Sequence, residues 1–350
     1  VTAGQEIAHS RVLGARRTRW VVLGLALVTT TVGMMGFAAT FPLLSLWVAD
    51  LGITRAQGGL LAGLWYLPGV LISLPAGWAF DRFPIRRVLL GCWILIVGGT
   101  AVMAAAPSFW VLCLGRLIFS IGMNAHMIGT PKLLGAWFAG RRELGLVMGI
   151  YTMAFTAGVF LSLNVLGSVG AADGWRAAVQ LLAGLSVAGA FSLLLLPGAS
   201  AEVERSSGPT PSFNPLALGA GAWILGLAYF GYSIGTEALL TFGPDALVGR
   251  GYELATASAI VGSYALVALV LKPVLASQLK PSTAFRFVVA ATITALVAAS
   301  GMVAPMVPPR AMAVTLGLTR VRDAGVPGPA RVPLPGQPVG SGLWALSGSL

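Results

Sequence analysis

Charge is what this chain has least of. Only 9% of its residues are Asp, Glu, Lys or Arg, against about 25% in a soluble domain, so there is too little polar material to build a water-facing surface. Histidine and cysteine are scarcer still, with two of each, which argues against a metal site built from those ligands. Cys92 and Cys113 fall near opposite ends of consecutive apolar stretches, out of reach of one another for a disulfide. No phosphate-cradling Gly-Lys-Ser loop, paired-histidine zinc motif or aspartate-rich metal loop occurs. No enzyme activity, cofactor or catalytic residue is therefore expected.

What is present in excess is hydrophobic sequence, 57% of residues. A membrane-spanning helix needs about 20 predominantly apolar residues. About nine stretches meet that standard, over 20–47, 57–80, 88–106, 109–138, 144–169, 175–196, 216–242, 254–276 and 285–303. The pattern predicts an all-α integral membrane protein with about nine transmembrane helices in a lipid bilayer. The first run has no small-residue cleavage site and exceeds a signal-peptide core, so it reads as a retained span.

The formal charge of +11 is spread in short clusters between apolar runs rather than over one surface. That distribution argues against nucleic acid and for anchoring at helix ends. Arg11, Arg16, Arg17 and Arg19 precede the first span, Arg82, Arg86 and Arg87 join spans two and three, and Arg141 and Arg142 join spans four and five. The alternate connections carry Arg55, Arg176 and Arg250 singly. The asymmetry predicts a cytoplasmic N-terminus in the plasma membrane.

Residues 197–215 are rich in Pro, Ser and Gly and carry Glu202, Glu204 and Arg205, which reads as a linker. The expected organisation is a basic N-terminus over 1–19, a six-helix bundle over 20–197, a cytoplasmic linker over 198–215, a partial three-helix bundle over 216–304 and an irregular Pro/Gly-rich tail over 305–350. Spans seven to nine repeat the cadence of spans one to three, and then the repeat breaks off. From Pro305 onward there are eight prolines, four arginines and one acid, with no run long enough to span. A truncated or out-of-frame C-terminus accounts for this, as does a natural disordered tail or a degenerate re-entrant region.

The segment from Gly77 through Asp81 and Arg82 to Arg86, between spans two and three, resembles the signature loop of the major facilitator superfamily. That loop reads Gly, three residues, Asp, Arg or Lys, any residue, Gly, Arg, then Arg or Lys; Pro84 and Ile85 depart from it. Trp137, Arg141, Arg142, Glu143 and Gly145 before span five, and Gly174, Trp175 and Arg176 at span six, are similar to other parts of the family. The resemblance implies a secondary carrier working by alternating access as a monomer, with Gly77, Asp81, Arg82 and Arg86 as a cytoplasmic gate. The family's gate partner includes an eleventh span, so Asp81 is expected to lack a partner here. Met153, Ala154 and Phe155 stand where proton-driven drug antiporters have their glycine and proline, which disfavours drug export. The glycine-rich fourth span and the Trp137 loop are similar to the branch carrying nitrate, cyanate and related small compounds.

Arg116 lies deep in span four, where a cation faces a cavity or pairs with an acid. Ser120 and Asn124 follow it at helical spacing and make a polar stripe, open to two readings: a solute site or polar contacts between helices. Gly115, Gly122 and Gly129 read as close-packing positions. Span seven carries Tyr229, Tyr232, Ser233, Thr236 and Glu237 on one face. Glu237 is either a proton-coupling carboxylate in a cavity or a wetted group near the outer end. Trp65 and Tyr66 read as core aromatics or solute contacts, and His126 and Lys132 as interface or snorkelling residues. Lys272 beside Pro273 is a second deep cation. With the resemblance, Arg116, Ser120, Asn124, Tyr66, Thr40 and Tyr232 are the expected contacts to a small polar or anionic solute, with Glu237 carrying protons. A truncated membrane protein with no transport of its own is the alternative.

Overall fold

A computed structural model describes residues 3–196, 220–263 and 265 of the chain, and among them there are helices and turns but no strand. In order these are α1 (Ala3–Ala38), α2 (Thr40–Leu51), α3 (Arg55–Gly63), α4 (Tyr66–Arg82), α5 (Ile85–Ala104), α6 (Phe109–Trp137) and α7 (Leu144–Leu161). A π-helical turn (Ser162–Leu166) joins α7 to α8 (Gly167–Leu194), and α9 (Ala220–Val248) and α10 (Leu254–Ser263) follow. Span nine, the linker 198–215, Lys272, Pro273 and the tail 305–350 lie outside the described residues.

Five helical stretches among the described residues are long and apolar enough to cross a membrane. The last, Leu144–Leu194, has 51 residues. At 1.5 Å per residue it would run to about 76 Å, against a hydrocarbon core of about 30 Å. Gly174, at φ 86 and ψ 165, breaks it, because only glycine adopts that backbone region without strain. The two arms match the expected spans five and six.

The first two stretches are also interrupted. Span one divides between α1 and α2 at Ala39, and span two between α3 and α4 at Leu64 and Trp65. Pro42 and Pro68 explain the positions: each lacks the amide that would bond the carbonyl four residues earlier, those of Ala38 and Leu64. The turn between the two spans is locally specified. Gly52 ends α2 in the left-handed conformation, and Thr54 with Gln57 forms a reciprocal capping box at the start of α3.

Helices α5 and α6 pack closely, α4 lies against α6, α1 against α7 and α8, α5 against α8, and α9 against α2. The glycines of α6 permit this. A Cβ on Gly122 would sit 2.5 Å from the Cys92 carbonyl, and one on Gly115 would sit 2.7 Å from the Met103 amide nitrogen. Close packing is thus the role of both. Cys92 and Cys113 are free and buried.

Gly99 is equally confined, since an added Cβ would lie 2.4 Å from the Phe119 amide nitrogen. Its neighbour Gly98 faces open space. Gly99→Ala is expected to destabilise the protein by about 1–3 kcal/mol through overpacking against backbone, and Gly98→Ala to be neutral or stabilising. Thermal unfolding of the two variants in detergent checks the contrast.

Candidate functional site

Arg116, two turns into α6, is 1% exposed. Its guanidinium reaches main-chain carbonyls on two other helices. One terminal nitrogen donates to the Gly36 carbonyl at 2.6 Å, the other to that of Phe37 at 2.6 Å, and Nε donates to the Leu61 carbonyl at 3.4 Å. These oxygens sit at the breaks in spans one and two, where the regular ladder fails. Trp65 donates its amide to Ala62 rather than to Leu61. The arginine therefore supplies hydrogen bonds that the interrupted helices need, consistent with the cost of leaving a carbonyl unmet in a membrane interior.

Asn124 does the same one step along. Its Nδ2 donates to the Trp65 carbonyl at 3.1 Å and to that of Ser120 at 2.9 Å. Ser120 is fully buried and its hydroxyl donates to the Arg116 carbonyl. The expected polar stripe is real, but these bonds run to backbone. Phe37, Phe41, Trp65 and Phe119 form a run of ring contacts, and Phe119 also lies under the Arg116 guanidinium at 5.8 Å. Trp65 is thus a core residue.

Glu237 of α9 and Tyr66 of α4 interact electrostatically with Arg116, and both are partly exposed. Spans two, four and seven thereby meet around one buried cation. Thr40, the first residue after the break in span one, is fully buried, and its hydroxyl finds no partner among the described residues. Thr236 beside Glu237 is in the same condition. Orphaned buried hydroxyls are rare enough to call for an explanation. The side chain of Tyr232 lies outside the described residues.

The expected gate residues gather at the arginine-rich end. There Asp81 pairs with Lys132 of α6, which also donates to the Phe80 carbonyl at 3.0 Å. The expectation that Asp81 lacks a partner is corrected, and Lys132 is an ion-pair member rather than a free snorkelling residue. The partner comes within reach because Gly129 leaves room for Phe80: a Cβ there would overlap its ring at 2.1 Å. Arg86 donates to the Leu194 carbonyl at the end of α8, a favourable place for a cation. Arg82 is exposed at the end of α4, and a Cβ on Gly77 would meet nothing.

His126 is likewise not a snorkelling residue. It is 1% exposed, with the Trp93 indole donating to Nδ1 at 3.2 Å. The ring accepting at Nδ1 carries its proton on Nε2, which faces the Thr30 and Thr130 hydroxyls.

Sequence reasoning missed the breaks themselves. The available signal was Pro42 and Pro68, each inside an apolar run, together with an arginine on a neighbouring span. Arg116→Ala is expected to strand the carbonyls of Phe37 and Leu61, and to leave that of Gly36 with only the Ala39 amide at 3.4 Å, at about 1–3 kcal/mol for each acceptor left unmet. Arg116→Lys should recover only part of that loss, since one ammonium cannot reach all three. Thermal unfolding of purified protein measures both.

Comparison with known proteins agrees with this architecture. The chain is 24% identical to the nitrite extrusion protein of Bacillus subtilis over 77% of its own length and 68% of that protein's. It is 29% identical to the mouse solute carrier family 2 facilitated glucose transporter member 10, over 46% of this chain and 29% of that one. It therefore spans less than a third of the mouse carrier. Among solved structures, a bacterial homologue of the human lysosomal transporter Spinster, inward-facing and unoccupied, superposes with a TM-score of 0.68 at 16% identity, covering 88% of this chain and 74% of that one. A POT family transporter bound to a thioalcohol-conjugated peptide gives 0.69 at 13% identity, covering 93% and 87%. The family model for the Major Facilitator Superfamily matches residues 23–326, and the chain belongs to that superfamily.

Proposed function

We propose that this protein is a secondary carrier of the plasma membrane that moves a small polar or anionic solute by alternating access, coupled to protons. The observation that carries the reading is the meeting of Arg116, Tyr66 and Glu237 where spans one and two are broken. Broken helices near the midplane are where transporters bind solute, because irregular backbone is tolerated only around a cavity or inside protein. The name of the Bacillus relative, a nitrite extrusion protein, favours a small anion as cargo.

In this scheme Arg116 holds the backbone of the site and lends it positive potential. Tyr66, Tyr232 and, as the bundles move apart, the buried Thr40 are the residues proposed to contact the solute, with Ser120 and Asn124 fixing the helices around them. Glu237 takes up and releases the proton, since an acid beside a buried cation changes its charge as the cation's surroundings change. The bundles 20–197 and 216–304 rock about this site, joined by the linker 198–215, and the chain works as a monomer. Asp81 with Lys132, and Gly77, Arg82 and Arg86 around them, form the gate at the cytoplasmic end, where the N-terminus also lies. The turn at 52–54 and the break at Gly174 then face outward. No bond is made or broken in the cycle.

Proteoliposomes under an imposed pH gradient test the reading with a panel of labelled small anions that includes nitrite. Gradient-driven accumulation is expected in the parent. In Glu237→Gln it should fall to the level of empty vesicles while solute exchange without a gradient persists. A folded preparation that takes up none of the panel would favour a non-transporting membrane protein.

A further inference from the structure

We propose that an ordered water molecule bridges the break in span one to spans five and eight, held by the Ser162 and Ser258 hydroxyls and the Ala38 carbonyl. The bridge does not depend on whether the chain carries solute.

Several serines inside these helices donate the hydroxyl proton to their own helix. Ser120 donates to the Arg116 carbonyl at 2.8 Å, Ser168 to that of Asn164 at 2.6 Å, Ser186 to that of Leu182 at 2.8 Å and Ser263 to that of Ile260 at 2.6 Å. Ser162 and Ser258 do not. Both are fully buried, and neither hydroxyl finds a partner among the described residues. A buried hydroxyl left unmet is costly, and two beside one helix break point to a shared partner.

Packing puts both at that break. Span five runs alongside span one in the same direction: a Cβ on Gly158 would sit 2.4 Å from Met34 Cβ, and one on Gly167 would sit 3.4 Å from Pro42 Cβ. Ser162 lies between these two contacts, one turn after Gly158, and is therefore level with the break at Ala39. The π-helical turn that it opens packs against α1 and α2 alike, so it straddles the break. Span eight crosses the same turn. The Cβ on Gly167 would sit 3.0 Å from Ser258 Oγ, and one on Gly262, one turn further along α10, would sit 2.7 Å from Asn164 Nδ2. Ser258 and Pro42 thus flank one point on span five.

Proline supplies the third group. Pro42 has no amide for the Ala38 carbonyl. A helix carbonyl points toward the residue four positions on, so that of Ala38 is aimed at the Pro42 ring, on the face that meets Gly167 and Ser258.

The chemistry of the three groups selects the ligand. Two hydroxyls and a carbonyl are neutral oxygens that together donate and accept, which suits a water making about three hydrogen bonds. A cation is disfavoured, because the Arg116 guanidinium already bonds the carbonyls of Gly36 and Phe37, just before Ala38, and like charges repel. A bridging water bonds nearly as well as a direct contact. Ser162 belongs to the first six spans and Ser258 to the later segment, so the water joins the two.

Thermal unfolding of the full chain in detergent tests the bridge through Ser162→Ala, Ser258→Ala and the double variant. Each single change is expected to lower Tm by roughly 1–3 °C, as loss of about one hydrogen bond does. The double change should lower it no further than the larger single one, because both hydroxyls hold the same water. Single variants that are neutral or more stable, or losses that add, overturn the proposal. A direct bond between the two serines would also give losses that do not add, and radiolysis separates the cases. Brief X-ray exposure in heavy-oxygen water labels side chains beside bound water, so the buried Pro42 and Leu163 should take up the heavy oxygen in the parent and lose it in the double variant. A parent unlabelled at both overturns the water, and this arm stands even if the variants fail to fold. Replacing sodium by choline should leave the parent's Tm unchanged. Stabilisation by sodium that the serine variants lack would identify a cation site and overturn the proposal.

Discussion

A guanidinium bonded to backbone is the interaction around which the described helices are organised. In lipid an unmet carbonyl has no water to turn to, so a proline inside a span leaves an acceptor that another part of the protein must satisfy. Pro42 and Pro68 interrupt spans one and two, and Arg116 and Asn124 of α6 bond carbonyls next to those the prolines leave without a donor: Gly36 and Phe37 beside Ala38, and Leu61 and Trp65 around Leu64. The fourth span is thereby bound to the first two by polar contacts as well as by packing. Because the breaks and the arginine are mutually dependent, removing either leaves the other costly.

The same arrangement explains why function concentrates there. Interrupted helices present carbonyls and side chains that a continuous helix would hide, and Glu237 and Tyr66 interact electrostatically with the cation that stabilises them. Thr40 and Thr236 keep buried hydroxyls without a protein partner among the described residues. At the two ends of the molecule the charges are used differently. Asp81 and Lys132 bind two helices of the first six spans together, and Arg55 and Asp245 join those spans to the later segment. Small residues set where such pairs can form, as Gly129 does by admitting Phe80 beside the Asp81–Lys132 bond.

Much of this was written in the linear sequence, for physical reasons that are local. Low charge and long apolar runs determine that the chain crosses a membrane as helices, since a helix satisfies its own backbone and needs only a length of about 20 apolar residues. Gly174 and the Gly52, Thr54 and Gln57 turn are also locally specified, because each depends on a few neighbouring residues, although the structure was needed to pick them out. The glycines of α6 could be read as packing positions from their spacing alone. Family membership was legible in the loop from Gly77 to Arg86. What each side chain touches was not: Arg116 reads equally well from sequence as a solute anchor or as a helix staple, and the choice depends on carbonyls more than fifty residues away. Lys132 finds Asp81, and His126 finds Trp93, only once α4, α5 and α6 are packed. Sequence by itself determined the apolar spans and the kinds of polar residue among them, because those follow from local hydropathy; the breaks were encoded there too, in Pro42, Pro68 and Gly174, but were recognised only in the folded chain. Tertiary structure alone decided which charges pair and which carbonyls they serve, because a partner distant in sequence is selected by helix packing.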